Sequence, residues 1–203
     1  MADLASAVDD TVEALLRQVL NDKNTAALAV PGGSTARLVM PKLAARALPW
    51  HRLHITLVDE RWVSPSDPNS NEGLVRSLLG ERANLAMTGL TAGGSPDAAL
   101  QLANGRVPEP DVALLGMGED GHIASLFPHD PANFARDRFA VVTRPDFMRI
   151  TMTAQALQRV PHIVLAFYGS AKRTVFEQAR EPGPAEEIPV RHILAQAHVL
   201  TAD

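Results

Sequence analysis

The residues of this chain that could do chemistry begin with Asp120 and His122, a carboxylate and an imidazole two positions apart. A short apolar run, residues 112–115, precedes them and predicts a strand buried on both faces of a parallel sheet. The segment between and around them contains three glycines, Gly116, Gly118 and Gly121. Glycine lets a backbone turn sharply and approach a ligand closely, because it has no Cβ. Since open α/β sheets bind ligands beyond the carboxyl ends of their strands, we expect acid–base chemistry at His122.

The same three glycines match G-x-G-x-x-G, the pattern of dinucleotide-binding loops. That pattern requires a helix directly after the third glycine and an acid at the end of the next strand. Here Pro128 and Pro131 interrupt the segment, and the next predicted strand is followed by Arg144. We therefore predict that neither NAD nor NADP binds and that the protein uses no cofactor. A tight turn with solvated charges would explain the glycines, but not a histidine set beside two acids.

A second candidate site follows a predicted buried strand, residues 26–30. It consists of Gly32, Gly33, Ser34 and Thr35, and we expect Ser34 or Thr35 to cap the helix that starts there. Backbone N–H groups and the positive end of the helix dipole make such a turn an anion site. An ordinary strand-to-helix turn with a good cap is an equally good interpretation of these residues alone.

Charged residues also follow the next predicted strand, residues 54–58, where Asp59 and Arg61 flank Glu60. A solvated cluster of ion pairs is the alternative interpretation. The ion-pair interpretation is less favoured because this is a third predicted strand that ends in residues typical of ligand sites.

Two further cations, Arg149 and Lys172, stand at the starts of predicted elements. Arg149 lies at the head of a predicted strand, residues 148–153. Lys172 lies in the first turn of a predicted helix, where the helix dipole disfavours a cation, so a bound anion is indicated. The chain has no cysteine, and His51 and His54 have no acids at ligand spacing, so we expect no metal site.

The remaining pattern predicts elements that alternate between helix and strand along the whole chain. Helices are predicted at residues 4–20, 71–79 and 96–102, strands at 139–143 and 162–168, and a short helix with a last strand at 190–200. This alternation favours an α/β fold with a doubly wound, mostly parallel, open Rossmann-like sheet and helices on both faces. A length of 203 residues suits one domain, residues 1–203.

Composition narrows the range of partners. The formal net charge is −4, which gives no reason to expect nucleic acid or an anionic membrane as a partner. The acidic N-terminus lacks the basic and apolar regions of a signal peptide, and no apolar run approaches membrane-spanning length. We expect a cytoplasmic protein that acts as a monomer or weak homodimer on a small molecule.

Three stretches of the chain together resemble one family: PGGSTARLV at 31–39, LVDERWVSPSDPNSN at 57–71 and LLGMGEDGHIASLFP at 114–128. It is the glucosamine-6-phosphate isomerase/6-phosphogluconolactonase family. The resemblance implies hydrolysis of 6-phospho-D-glucono-1,5-lactone to 6-phosphogluconate in the oxidative pentose phosphate pathway, without metal. Within the family, Arg61 and the Leu126-Phe127-Pro128 run match the lactonase branch; the deaminase branch has an aromatic residue and Asn-Glu-Pro there.

Lactone hydrolysis needs a base to activate water and a group to hold the developing oxyanion. His122 is the expected base, and Asp120 or Asp59 would orient its ring. Arg61 would stabilise the oxyanion or hold the sugar hydroxyls. The substrate phosphate would lie on the turn formed by Gly32, Gly33, Ser34 and Thr35, with Arg149 and Lys172 neutralising it.

Two other functions remain open at this point. One is a sugar-phosphate isomerase or deaminase on the same fold, with Asp59 as the base that abstracts a proton. The other is a sugar-phosphate sensor that binds without catalysis, and the intact pair of Asp120 and His122 argues against it.

Overall fold

The computed structural model describes residues 2–84 and 87–202. Within them the chain forms six α-helices: α1 Ala2–Asp22, α2 Gly33–Ala45, α3 Asn71–Leu79, α4 Pro96–Arg106, α5 Ala154–Gln158 and α6 Ser170–Arg180. It also forms eight strands: β1 Ala26–Val30, β2 Leu53–Leu57, β3 Asp59–Arg61, β4 Val112–Leu115, β5 Phe139–Thr143, β6 Met148–Met152, β7 His162–Tyr168 and β8 Ala197–Ala202.

Five strands form the main sheet in the order β2-β1-β4-β7-β8, and all four pairings are parallel. Every residue of β1 and β4 is buried, which explains why both read as uninterrupted apolar runs. Helices flank this sheet, and α1 lies against four of its strands, β1, β4, β7 and β8. The predicted α/β fold with a mostly parallel, doubly wound sheet is therefore confirmed.

The strand order creates a switch point in the main sheet. From β1 the chain passes through α2 to β2 on one side, whereas β4, β7 and β8 are added on the other side. The turns after β1 and after β4 therefore leave the same edge of the sheet in opposite directions. A crevice opens at such a point, and it is where open α/β sheets bind ligands.

Three strands depart from the predicted arrangement and form a second, antiparallel sheet in the order β3-β6-β5. Residues 139–143 form a strand, as predicted, and the strand predicted at 148–153 ends at Met152, but neither extends the parallel sheet. The link between them, residues 144–147, is too short for the crossover that parallel pairing requires. The segment Asp59–Arg61 is itself a strand of this sheet, where only a charged loop was expected.

The cap of α2 also differs from the prediction. The N-cap residue is Gly32, and no side chain caps the helix, so Ser34 and Thr35 lie inside the first turn. Gly33 has a φ of 60°, a left-handed conformation that glycine adopts without strain. The first-turn N–H groups thus have no capping side chain bonded to them.

The helices owe their positions mainly to apolar stripes at helical spacing. In α1 the buried residues include Leu4, Val8, Val12, Leu16 and Val19. Of the described helices, none combines the length and the apolar character that a membrane span would need.

Candidate active site

A cleft of about 240 Å³ lies at the switch point, at the carboxyl ends of the main-sheet strands. It is lined by Pro31, Gly32, Gly33, Ser34, Thr35, Asp59, Arg61, Asn71, Gly116, Met117, Gly118, His122, Ala124 and Lys172. The chain segments that supply these residues are far apart in sequence, and the sheet order brings them together. Among the predicted site residues, Asp120 and Arg149 are not part of this lining.

Asp120 nevertheless belongs to the site because it contacts the imidazole of His122. The Nδ1 atom of His122 lies 2.6 Å from Oδ1 of Asp120, and the same oxygen accepts a bond from the backbone N–H of His122. With Nδ1–H donating to the carboxylate, the lone pair of Nε2 is available to take a proton. Burial pushes the pKa of Asp120 upward, but the hydrogen bond and charge of His122 outweigh it and leave the pKa below its usual value.

The loop from Gly116 to Pro128, here called the central loop, is shaped closely around the histidine. The backbone N–H of Gly118 donates to the carbonyl of His122, and a Cβ on Gly118 would overlap the imidazole. The ring of Phe127 packs beside that of His122, with 4.6 Å between centroids. No α-helix follows Gly121 in this loop, as the two prolines predicted; absence of dinucleotide binding stays a prediction.

Asp59 has a different partner from the histidine. Its Oδ2 accepts a 2.5 Å hydrogen bond from the hydroxyl of Ser125, and the residue is 8% exposed. The sequence left open whether Asp59 or Asp120 contacts the base, and in the structure it is Asp120. Asp59 instead ties the start of β3 to the central loop.

Arg61 reaches the cleft from β3 and is held at one nitrogen. Its Nη1 donates to the carbonyl of Asn69 at 2.8 Å and to Oδ1 of Asn71 at 3.1 Å. Arginine has five N–H donors in a rigid fork, so this anchoring leaves others to face a ligand.

The turn Gly32–Thr35, here called the phosphate turn, lies on one wall of the cleft at the start of α2. Across from it, a Cβ on Gly116 would overlap the Thr35 hydroxyl, so the central loop approaches this turn closely. Lys172, in the first turn of α6, also lines the cleft, with Nζ 5.7 Å from the ring centroid of Tyr168. An anion in the cleft would meet helix N–H groups, two hydroxyls and a cation.

Arg149 points to a different place from the one predicted. It is 7% exposed, and its two terminal nitrogens donate to the two carboxylate oxygens of Asp146 at 2.9 and 2.6 Å. This bidentate pair holds the pKa of Asp146 well below its usual range. The guanidinium also lies 5.4 Å from the Phe127 ring centroid. Arg149 therefore supports the wall behind the histidine, and its fork is already occupied by a carboxylate.

Asn71 is the polar cleft residue that the sequence reasoning missed. It lies at the first position of α3 and is 3% exposed. The stretch at 57–71 that resembles the family ends in Asn71, so the sequence did contain a signal for this residue. We interpreted Asn71 only as the start of a helix after a loop.

Comparison with known proteins places this cleft in context. The family model for glucosamine-6-phosphate isomerases/6-phosphogluconolactonase matches residues 1–201. The chain is 35% identical to a 6-phosphogluconolactonase of Neisseria meningitidis serogroup A, over 100% of this chain and 96% of the relative. It is 36% identical to a 6-phosphogluconolactonase of Rhizobium meliloti, over 96% of this chain and 90% of the relative. The crystal structure of a 6-phosphogluconolactonase from Shewanella baltica superposes with a TM-score of 0.89 at 30% identity, covering 99% and 94% of the two chains.

Proposed function

This chain belongs to the glucosamine-6-phosphate isomerase/6-phosphogluconolactonase family, and we propose that it hydrolyses 6-phospho-D-glucono-1,5-lactone to 6-phosphogluconate by histidine-assisted attack of water. This is the hydrolytic step of the oxidative pentose phosphate pathway. The observation that carries the proposal is the joint placement of the Asp120–His122 pair, Arg61 and the phosphate turn at one cleft.

The chemistry follows from the free Nε2 of His122. A water molecule attacks the lactone carbonyl while Nε2 takes one of its protons, and Asp120 stabilises the imidazolium that forms. No hydroxyl of the described residues is hydrogen-bonded to Nε2 of His122, which favours water over an enzyme hydroxyl as the nucleophile.

The tetrahedral intermediate carries a negative charge on the former carbonyl oxygen. Arg61 is permanently charged and faces the same cleft, so it stabilises this oxyanion. When the intermediate collapses, the bond from the carbonyl carbon to the ring oxygen breaks. The imidazolium then returns its proton to the ring oxygen, which becomes a hydroxyl, and the product carboxylic acid ionises in solvent.

The phosphate of the substrate is held apart from the reacting carbon. The first-turn N–H groups of α2, the hydroxyls of Ser34 and Thr35, and Lys172 together form the anion site proposed for it. Arg149 is left out of this set because Asp146 occupies its fork. We also propose that the protein is active as a monomer or weak homodimer.

The test is the hydrolysis of freshly generated lactone, measured against its spontaneous rate. We expect the protein to accelerate hydrolysis and His122→Ala to lower kcat by ~10²–10⁴. A matched control, His198→Ala, removes an exposed histidine on β8 and should leave the rate unchanged. Hydrolysis no faster than the spontaneous reaction, with 6-phosphogluconate still bound, would identify a sensor. Ammonia released from glucosamine 6-phosphate would identify a deaminase.

A further inference from the structure

The carboxamide of Asn71 connects three parts of the cleft that are separate in sequence. Its Nδ2 donates to the backbone carbonyl of Asp59 at 2.9 Å, at the start of β3. Its Oδ1 accepts from Nη1 of Arg61 at 3.1 Å. A Cβ on Gly32 would overlap this same carboxamide, so the amide packs directly on the phosphate turn.

Asn71 is itself fixed from below by Glu60, whose side chain is fully buried. The carboxylate of Glu60 accepts from the backbone N–H of Asn71 at 2.8 Å and of Glu72 at 2.6 Å, and from the hydroxyl of Ser70 at 2.9 Å. It therefore lies at the N-terminus of α3, where the helix dipole favours an anion.

The same carboxylate reaches back to the strand that carries the arginine. The backbone N–H of Arg61 donates to Oε1 of Glu60 at 2.7 Å. Burial raises the pKa of Glu60, and these four donors act against that rise. One buried carboxylate thus locks the start of α3 to β3, and with it the positions of Asn71 and of the Arg61 backbone.

We propose that Asn71 is a positioning residue for the lactone hydrolysis proposed above: its carboxamide, anchored through Glu60, sets the Arg61 guanidinium at a constant distance from the phosphate turn. The inference rests on the proposed function, because it assigns Arg61 a role at the reacting carbon. The Nη1 atom of Arg61 has one other acceptor, the backbone carbonyl of Asn69 in an exposed loop. Without Asn71 the guanidinium loses its link to the wall that holds the phosphate.

The effect of Asn71 should appear in kcat more than in KM. The substrate phosphate is bound by the turn and Lys172, which Asn71→Ala leaves in place. Arg61 acts on charge that develops in the transition state, so its misplacement slows the chemical step. Removal of an oxyanion donor lowers kcat by about 10²–10³-fold, and displacement of a donor that remains present should lower kcat by less.

The experiment is a double-mutant cycle on Asn71→Ala and Arg61→Ala, with kcat and KM measured for the phosphorylated lactone. We expect Asn71→Ala to lower kcat by ~10- to 100-fold and to change KM by less than about threefold. We expect Arg61→Ala to lower kcat at least as much, and the double variant to be no slower than Arg61→Ala. Losses that multiply in the double variant, or a folded Asn71→Ala with wild-type kcat, would overturn the proposal.

The outcomes separate this inference from the function on which it rests. If Arg61→Ala hydrolyses the lactone at the wild-type rate, the role of Arg61 is lost and the inference falls with it. If Arg61→Ala is slow but Asn71→Ala is not, the proposed function stands and the inference alone is overturned. If Asn71→Ala does not fold, Asn71→Ser replaces it in the cycle, and its effect must likewise vanish in the Arg61→Ala background.

Asn104→Ala is the matched control for loss of an asparagine that bridges backbone groups. Its amide exchanges hydrogen bonds with the N–H and carbonyl of Phe139, away from the cleft. We expect a lower free energy of unfolding in this variant with unchanged kcat. A fall in its kcat equal to that of Asn71→Ala would assign the effect to general destabilisation and overturn the proposal.

Discussion

Asp120 and His122 share a 2.6 Å contact between a carboxylate oxygen and Nδ1 on the central loop. This contact fixes which imidazole nitrogen carries the proton, because Nδ1–H donates to the carboxylate and leaves Nε2 as the base. Because the hydrogen bond and charge of His122 hold the pKa of Asp120 below its usual value, the carboxylate remains charged near neutral pH. Its negative charge, 2.6 Å from Nδ1, stabilises the imidazolium that the proposed reaction forms.

Replacing Asp120 with Asn therefore tests the pair directly. The neutral amide no longer stabilises the imidazolium that forms in the reaction, so kcat should fall by ~10-fold or more. Glu119→Gln is the control, since this exposed neighbour carries the same charge. A folded Asp120→Asn with the kcat of the wild type would remove Asp120 from the acid–base step.

A second residue-scale prediction concerns Lys172. A charged hydrogen bond contributes about 1.5–3 kcal/mol, so Lys172→Ala should raise KM for the phosphorylated lactone by ~10- to 100-fold with a smaller change in kcat. Arg180→Ala, at the other end of α6 and paired with Glu177, should leave KM unchanged. An unaltered KM in Lys172→Ala would place the phosphate elsewhere.

At the scale of elements, several hydrogen bonds join the start of α3 to β3 near the cleft. Ser70 caps the helix by accepting from the N–H of Gly73 at 3.0 Å, and its hydroxyl donates to Glu60 at 2.9 Å. The helix cap and the buried carboxylate thus share one side chain. Its loss would loosen the element that carries Asn71.

Ser70→Ala should reduce the free energy of unfolding by about 2–3 kcal/mol, because it removes both a cap and a bond to a buried carboxylate. Ser95 caps α4 by accepting from Ala98 and is exposed, so Ser95→Ala should cost only about 1 kcal/mol. Denaturant unfolding measures both. Equal costs in the two variants would show that the bond to Glu60 contributes nothing.

The central loop, a second element, is supported from behind by the segment before β8. The N–H of Val190 donates to the carbonyl of Gly121, and the N–H of His129 donates to that of Glu186. A Cβ on Gly121, whose φ is 79°, would overlap Ile188. Glycine is therefore required at this position both for conformation and for space.

At the scale of the molecule, this supporting segment makes stability depend on pH. His192 is partly buried, and its Nε2 lies 3.2 Å from Oδ1 of Asn133. Burial lowers the pKa of His192, while the charge of Glu186 acts weakly in the other direction. The unfolded chain thus takes up a proton more readily than the folded one, and stability falls as pH drops below the ordinary value of about 6.5.

His192→Gln should flatten this dependence. The measurement is the free energy of unfolding by denaturant between pH 7.5 and 5.5, with His198→Gln as the control on the exposed face of β8. A slope that is the same in His192→Gln and in the wild type would show that another group titrates.

Local pattern was sufficient for most of the elements and for the list of reactive residues. The strands at 26–30, 112–115, 139–143 and 162–168 were predicted with their observed bounds. This was possible because burial of one or both faces of a strand determines the spacing of its apolar residues. The glycines, acids and histidine of the central loop were identified for a similar reason, since their types and order are local properties.

Only the tertiary structure determined which of these residues contact one another. Asp59 bonds to Ser125, 66 positions away, and Asp120 to its neighbour His122, although either acid was compatible with the sequence. Arg149 bonds to Asp146 and does not line the cleft. Asn71 lines the cleft because the sheet order and its bond to the buried Glu60 place it there. The pairs Asp120–His122 and Arg149–Asp146 are only two and three positions apart, so sequence placed these residues near each other without deciding whether they bond. Partners as distant as Asp59 and Ser125 depend on the packing of whole elements, which no window of sequence contains.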